Sequence, residues 1–567
     1  MDPQFKFPVP EIDLLAVLPI LIVILTGIIA MIVELARPAK NNNMVVAVSL
    51  IGLVAAGIAA GAQLAWPEKE ALANMVVQDR FGGVMQLLLI VGCSLTFLFS
   101  EGYMREKRIP FGEFYPLALW STAGAMIMAT SNNLLVIFIG LEILSIALYV
   151  LAGLSRQEEK SEESALKYFL LGAFASAFLL YGIAMFYGAT GSLHLSALPQ
   201  VWAAGEPFTR GLLLFGLGFM LIGLGFKAAF VPFHQWTPDV YQGAPTNVTA
   251  FMAAISKVGA IAALWRVLEA AIPMKDLWMP ALFWIAVLSM TVGNVVALLQ
   301  KDVKRILAYS SIAHAGYILV AILAHVEDPT RVGIGAVSYY LLAYSLMTIG
   351  SFAIISMTAK NGKETTRLED LNGLFVRAPG AAIALVIFMM SLIGIPPTAG
   401  FIGKYMIFQD ALSAGMTALA LVLAVNSAIS IYYYIGIAYA AFVVEKPSEA
   451  PLAKPNAGLI STTMICAAGL VLAAVLTYPL MNWMAPGPTP QSGLSLRERG
   501  ERPFNAPRPG SAAYEAGWRL YAPLNLLPQS DFPLPPAPSP FAGTRHPENG
   551  EGEVRNPISK IGTPNSR

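Results

Sequence analysis

Apolar residues run in blocks of about twenty along most of this chain, separated by short polar stretches that hold most of its charge. A membrane-spanning helix needs about 20 apolar residues. Fourteen blocks approach or exceed that length, at 14–36, 44–66, 81–100, 114–131, 133–154, 166–188, 211–234, 246–270, 278–299, 305–325, 332–358, 379–410, 413–443 and 457–483. The pattern predicts an all-α polytopic membrane protein with about 14 transmembrane helices. The first block is read as a retained helix, because residues 1–13 carry Asp2, Glu11 and Asp13 and lack a small-residue cleavage site.

Two blocks are interrupted. Span 7 reads GLGFKAAFVPFHQWTPD and is broken at Pro232; span 12 reads SLIGIPPTAGFIGKYMIF and is broken at Pro396 and Pro397. Proline cannot donate to the helix ladder, and its ring clashes one turn back. Broken helices in matching places of two halves are a signature of inverted repeats around a transport site. The expected organisation is therefore spans 1–3 (1–113), a first five-helix repeat of spans 4–8 (114–270), a second of spans 9–13 (271–443) and a final span (444–483). Residues 484–567 are rich in Pro, Gly and charge, cannot bury enough apolar surface to fold alone, and read as a disordered or surface-draped tail.

Loop charge predicts orientation. With fourteen spans, sixteen Lys and Arg fall on one side, Lys107, Lys304 and Arg305 among them, against six on the other outside the tail. The first side is then cytoplasmic and both termini are periplasmic.

Composition narrows the function. Only 13% of residues are charged against 56% hydrophobic, and the formal net charge of +1 gives no footprint for nucleic acid. Cys93 and Cys466 are isolated in apolar runs, which leaves no spacing for an iron–sulfur centre, c-type haem or zinc site. No Gly-rich strand-to-helix loop supports a nucleotide or flavin. Redox chemistry is expected elsewhere.

Ionisable residues inside the spans carry the functional signal. Glu142 in span 5, Lys227 in span 7, Lys257 in span 8 and Lys404 in span 12 all lie at bilayer depth. Each costs about 2.5–3.5 kcal/mol on insertion scales, and such groups mark ion or proton pathways. Lys227 lies five residues before Pro232, and Lys404, seven after Pro397, is expected on nearly the same helical face as that proline. A buried lysine responds in opposite senses to desolvation and to a nearby anion, so moving Glu142 against Lys227 would move a proton. His234, seven residues after Lys227, shares its face if the helix is continuous; His314 lies in span 10; either could relay protons. Ser310, Ser311, Tyr309, Tyr317 and Thr398 could hold water in the same path. Lys167 is a secondary candidate that could influence Glu142, although Glu163 four residues before it also fits an ordinary helix-end pair.

Plainer roles compete with each of these. The Glu142–Lys227 pair could be an inert tie, Lys257 or Lys404 could snorkel to an interface, His234 could cap carbonyls freed at Pro232, and His314 could be a satisfied core residue. Arg266 reads as snorkelling from the end of span 8, and His194, His325 and His546 as loop or tail residues.

The stretches LVIFIGLEILSIALYVLAG, ALKYFLLGAFASAFLLYG, GFKAAFVPFHQWTPDVYQGAPT and GIPPTAGFIGKYMIF closely resemble the antiporter-like membrane subunits of bacterial NADH:quinone oxidoreductase, complex I. The resemblance covers roughly 14–483 and extends to the subunits of multi-subunit Na⁺/H⁺ antiporters. It implies a proton channel through Glu142, Lys227, Lys257 and Lys404 in a bacterial inner membrane. It also implies that NADH, FMN, iron–sulfur clusters and quinone are bound by partner subunits, with none on this chain. A neighbouring antiporter-like subunit and small membrane subunits would be the partners. A cation/proton antiporter component and a purely scaffolding subunit are the alternatives.

Overall fold

Caps and breaks set the helix boundaries in the computed structural model, which describes residues 13–36, 42–329 and 332–484. The tail expected over 484–567 lies outside the described residues from 485 on. Every predicted span has a helical counterpart. The first six are α1 (Leu18–Ala36), α2 (Asn43–Gln63), α3 (Arg80–Lys107), α4 (Phe114–Thr130), α5 (Leu134–Ala152) and α6 (Glu159–Thr190). Span 7, predicted over 211–234, is helical as α7 (Pro207–Ala228) up to the break, and α8 (Trp236–Gly243) follows beyond its predicted end. Next come α9 (Thr246–Ala270), α10 (Lys275–Ala297), α11 (Val303–Glu327) and α12 (Gly335–Ile355). Span 12 divides into α13 (Pro379–Ile393) and α14 (Ala399–Ser413), followed by α15 (Thr417–Phe442) and α16 (Ala457–Val475).

Twelve helices among the described residues are long and apolar enough to cross a membrane. The two predicted spans outside that set are α4, at 17 residues, and span 12, whose halves have 15 residues each. Side-chain oxygens of Asp79, Asn133, Asp302, Thr398 and Asn456 accept from backbone N–H groups in the first turns of α3, α5, α11, α14 and α16. Each removes one of the donors a helix start leaves without a partner.

Burial separates the helices into centre and rim. The apolar stretches of α9, α11 and α12 are 94–100% buried, whereas those of α1, α2, α6 and α16 are 33% buried. A helix apolar all round belongs in the core of a bundle, and one with an exposed apolar face belongs beside lipid. The central three helices are also those with buried hydroxyl and imidazole groups in number.

The two breaks share a backbone plan. α7 ends on Ala229 at φ +65° and α13 on Gly394 at φ +87°, and a cis X-Pro peptide follows in each (Val231–Pro232 and Pro396–Pro397). Freed polar groups find side chains, as irregular backbone at membrane depth must. Trp236 Nε1 donates to Phe226 O at 2.9 Å, and Ser289 Oγ accepts from Val231 N at 3.0 Å. Ser391 Oγ accepts from Gly400 N at 3.2 Å.

Three sequence expectations change here. Lys227 and His234 do not share a helical face, because the turn at 229–235 separates them. His325 belongs to the last turn of α11, where Nδ1 lies 2.5 Å from Val332 O, and is no loop residue. Arg266 does not snorkel. It is 8% exposed, and its Nη1 and Nη2 each lie 2.8 Å from an Asp79 carboxylate oxygen, while Nε donates to Ala129 O at 2.7 Å.

Short helices at Ala197–Ala204, Leu374–Arg377 and Thr477–Met484 and two hairpins join the long helices: β1 (Lys69–Ala71) with β2 (Val76–Gln78), and β3 (Ala359–Lys360) with β4 (Lys363–Glu364). The second ends on a carboxylate that enters the bundle.

Candidate proton pathway

Lys227, Lys257 and Lys404 are 4, 3 and 5% exposed, so all three lysines are buried as their positions predict. None forms an ion pair among the described residues. Lys227, in the last turn of α7, donates to Ser145 Oγ at 2.8 Å and Tyr168 Oη at 3.0 Å. It borders a cavity of about 10 Å³, room for about one water, lined also by Tyr149 and Ser176. Glu142 is half-buried on α5 and accepts from Ser176 Oγ. The expected contact between Glu142 and Lys227 is therefore indirect. The two are joined around one cavity through Ser145, one turn beyond Glu142, and Ser176.

Lys257 emerges where α9 makes a π-helical turn at Met252–Ser256. Such turns widen the ladder by one residue and recur at functional sites. Its ammonium donates to the carbonyl of Ser311 and lies 5.2 Å from the Tyr344 ring centroid. Lys404 folds back across the second break and donates to Leu392 O and Ile393 O, both at 2.9 Å. These carbonyls end α13, where a helix concentrates partial negative charge. The first break uses Trp236 in that role. Pro397 lies outside α14, so helical spacing does not place Lys404 on its face.

Between Lys257 and Lys404, α11 presents Ser311, His314 and Tyr317 at three-residue steps. Lys257 binds Ser311, and Lys404 lies 5.0 Å from the Tyr317 ring centroid. His314 is 1% exposed. Its Nδ1 lies 2.8 Å from Tyr340 Oη and its Nε2 3.0 Å from Tyr434 Oη. Tyr434 also bonds Ser310, and Tyr344 donates to Ser311 Oγ at 2.9 Å. With a hydroxyl at each nitrogen, the neutral ring donates at one and accepts at the other, and exchange of tautomers reverses both bonds. That is the geometry of a relay.

The other sequence candidates fall outside this line. His234 is half-buried in the break, and its Nδ1 has no hydrogen-bond partner among the described residues. Lys167 does not reach Glu142. It pairs with Glu163 at 2.7 Å and Asp239 at 2.8 Å, and Asp239 also pairs with Arg305 at 2.7 Å. Thr398 spends its hydroxyl on capping α14, and Tyr309 is only partly buried.

Sequence reading missed Tyr168, Ser145, Ser176, Tyr340, Tyr344 and Tyr434. Tyr340 and Tyr344 were detectable as two of seven hydroxyl residues in α12, four apart; the others need tertiary contacts. Lys107 and Lys304, read as loop charges, are buried at 4 and 2% exposure. No cluster of three or more His, Cys, Asp or Glu suited to a metal occurs among the described residues.

Residues 131–430 match the family described as NADH:quinone oxidoreductase/Mrp antiporter, TM. NADH-quinone oxidoreductase subunit N of Trichlorobacter lovleyi is 40% identical over 474 residues, covering 83% of this chain and 96% of the relative. Subunit N 1 of Sorangium cellulosum is 39% identical, covering 85% and 98%. A chain of respiratory complex I from Thermus thermophilus superposes with a TM-score of 0.71 at 36% identity, over 83% of this chain and all of that one. A chain of the Mrp complex from Dietzia reaches 0.73 at 20% identity, over 83% and 96%, a likeness of fold.

Proposed function

Because this chain belongs to the NADH:quinone oxidoreductase/Mrp antiporter family of membrane subunits, we propose that it acts as subunit N of an NADH:quinone oxidoreductase, with Glu142, Lys227, Lys257 and Lys404 as proton stations and His314 as the relay. It is a multi-pass membrane protein and the proton-translocating type of subunit. Near-full-length identity of about 40% to subunits N favours this over an antiporter component, for which the likeness is one of fold.

The observation that carries the mechanism is the row of three buried lysines held only by uncharged partners. No carboxylate among the described residues forms an ion pair with them, so a nearby change in charge acts directly on each one's hold on its proton. Motion of Glu142 away from Ser176 toward the Lys227 cavity would favour the ammonium, and its return would favour release. A proton given up at Lys257 would pass by water to His314, held between Tyr340 and Tyr434, and by water onward to Lys404. Each charge moved against 100 mV takes about 2.3 kcal/mol, the scale of one to two pKa units.

Partner subunits would bind NADH, FMN, iron–sulfur clusters and quinone, and a neighbouring antiporter-like subunit would adjoin this one. The assembly would be a translocase of the bacterial inner membrane, with the Lys/Arg-rich loops cytoplasmic and both termini periplasmic. Two repeats, over 114–270 and 271–443, would each contain one broken helix, which ends at a residue of positive φ, Ala229 or Gly394.

A native gel of gently solubilised membranes, stained for NADH dehydrogenase and probed for this chain, tests the assignment. Co-migration with an active assembly far above 60.7 kDa supports it. A smaller, NADH-inactive band with sodium-dependent proton flux would support the antiporter reading.

A further inference from the structure

A second group of buried charges lies off the row just described. Lys107, in the last turn of α3, is 2.6 Å from Glu158 and 3.4 Å from Glu364, and its side chain is 1% exposed. The Glu364 side chain is 7% exposed, although β4 is part of a connecting hairpin. Its carboxylate accepts from Tyr103 Oη at 2.8 Å and from Thr246 Oγ1. Lys304, near the start of α11, donates to Ala244 O at 2.6 Å. Lys107, Glu158, Lys304 and Glu364 all line a polar cavity of about 460 Å³. A second cavity of about 130 Å³, lined by Lys167 and Asp239, shares Lys160, Gln242 and Gly243 with it.

Two helices run from this cavity to Lys257. Thr246, which binds Glu364, opens α9, and Lys257 follows on the same helix. Lys304 and Ser311, whose carbonyl holds Lys257, are seven residues apart on α11. That is two turns, about 10 Å, on one face. Along the same route, both side-chain polar atoms of Asn247 are buried without a hydrogen-bond partner among the described residues. Buried polar groups are almost always satisfied, and water is the partner that such positions take.

We propose that the cavity is the proton-uptake vestibule of the subunit, and that Lys304 takes a proton from its water and passes it along the α9–α11 seam to Lys257. The proposal rests on the reading of Lys257 as a proton station. A proton leaves a hydrated donor in the cavity and forms an N–H bond at Lys304. That bond then breaks as a chain of waters, running past Asn247 and then Ser256, carries the proton to the Lys257 amine. Glu364 is a positioning residue. As an anion held by Tyr103, Thr246 and Lys107, it offsets the Lys304 charge and anchors the hairpin at the cavity.

Lysine and arginine separate this role from a structural tie, because a guanidinium keeps the charge and can bind Ala244 O but does not give up its proton. NADH-driven pumping would be measured in inverted vesicles carrying Lys304→Arg, Lys304→Gln and Glu364→Gln, with Lys257→Ala alongside and assembly checked on native gels. The vestibule predicts a two- to fivefold fall in protons moved per NADH oxidised for whichever Lys304 variants assemble, arginine giving no rescue, and about a twofold fall for Glu364→Gln. Wild-type pumping by any assembled Lys304 variant, while Lys257→Ala is impaired, would overturn the proposal and leave the proposed function intact. Normal pumping by Lys257→Ala would remove both.

Discussion

His314 Nε2 lies 3.0 Å from the hydroxyl of Tyr434, and this contact ties the centre of α11 to α15. It matters because the other ring nitrogen already has Tyr340, so the imidazole is satisfied while neutral. Removing Tyr434 Oη leaves a buried nitrogen unpaired, at a cost of about 1–3 kcal/mol. Tyr434→Phe should therefore lower protons pumped per NADH severalfold with assembly retained, and His314→Ala should lower them further. Equal pumping by wild type and Tyr434→Phe would show that His314 is only a packed core residue.

Lys404 caps the carbonyls that the second break sets free. Lys404→Met removes both hydrogen bonds and should lower stability by about 1–3 kcal/mol for each carbonyl left dry. Pumping should fall with it. Lys404→Arg should restore thermal stability in detergent but not pumping. Recovery of pumping by arginine would assign Lys404 to structure alone.

Asp79 and Arg266 form a mostly buried bidentate pair, with side chains 18 and 8% exposed. Breaking one side of such a pair costs about 3–5 kcal/mol because the remaining charge is left without its partner. Asp79→Asn should reduce the amount of assembled complex markedly on native gels, and joint replacement, Asp79→Leu with Arg266→Met, should recover much of it. Failure of the single change to affect assembly would mean the guanidinium reaches water.

Glu364 supplies a pH dependence. Burial pushes its carboxyl up, but the charges of Lys304 and Lys107, with the bonds from Thr246 and Tyr103, outweigh that and hold it below its ordinary value of 4.5. A carboxyl with a lower pKa folded than unfolded adds stability above the ordinary value and loses it as pH falls through the folded one. The melting temperature of the solubilised complex should exceed that of Glu364→Gln at pH 7, and the gap should close as the pH is lowered below 4.5. A gap that stays constant or widens would contradict this.

The sequence was most legible where physics is one-dimensional. Fourteen apolar blocks and two proline breaks were readable because helix length and ladder disruption are local, and all fourteen blocks coincide with helices. The four central ionisable residues stood out because bilayer depth makes them costly. Their partners were hidden, since Tyr168 and Ser311 meet Lys227 and Lys257 only through packing. Lys107, Lys304 and Arg266 were misread because position near a helix end implies solvent access, whereas the hairpin at Glu364 and the cap at Asp79 bury them. Continuity of helical spacing across Pro232 and Pro397 failed for the reason the breaks were found.

The central claim is tested most directly by protons translocated per NADH oxidised in inverted vesicles from Lys227→Ala, with assembly matched on native gels. Proton movement through Lys227 predicts a several-fold fall in that ratio with the complex intact. An unchanged ratio would contradict the account and leave Lys227, with Ser145 and Tyr168, as part of a scaffold.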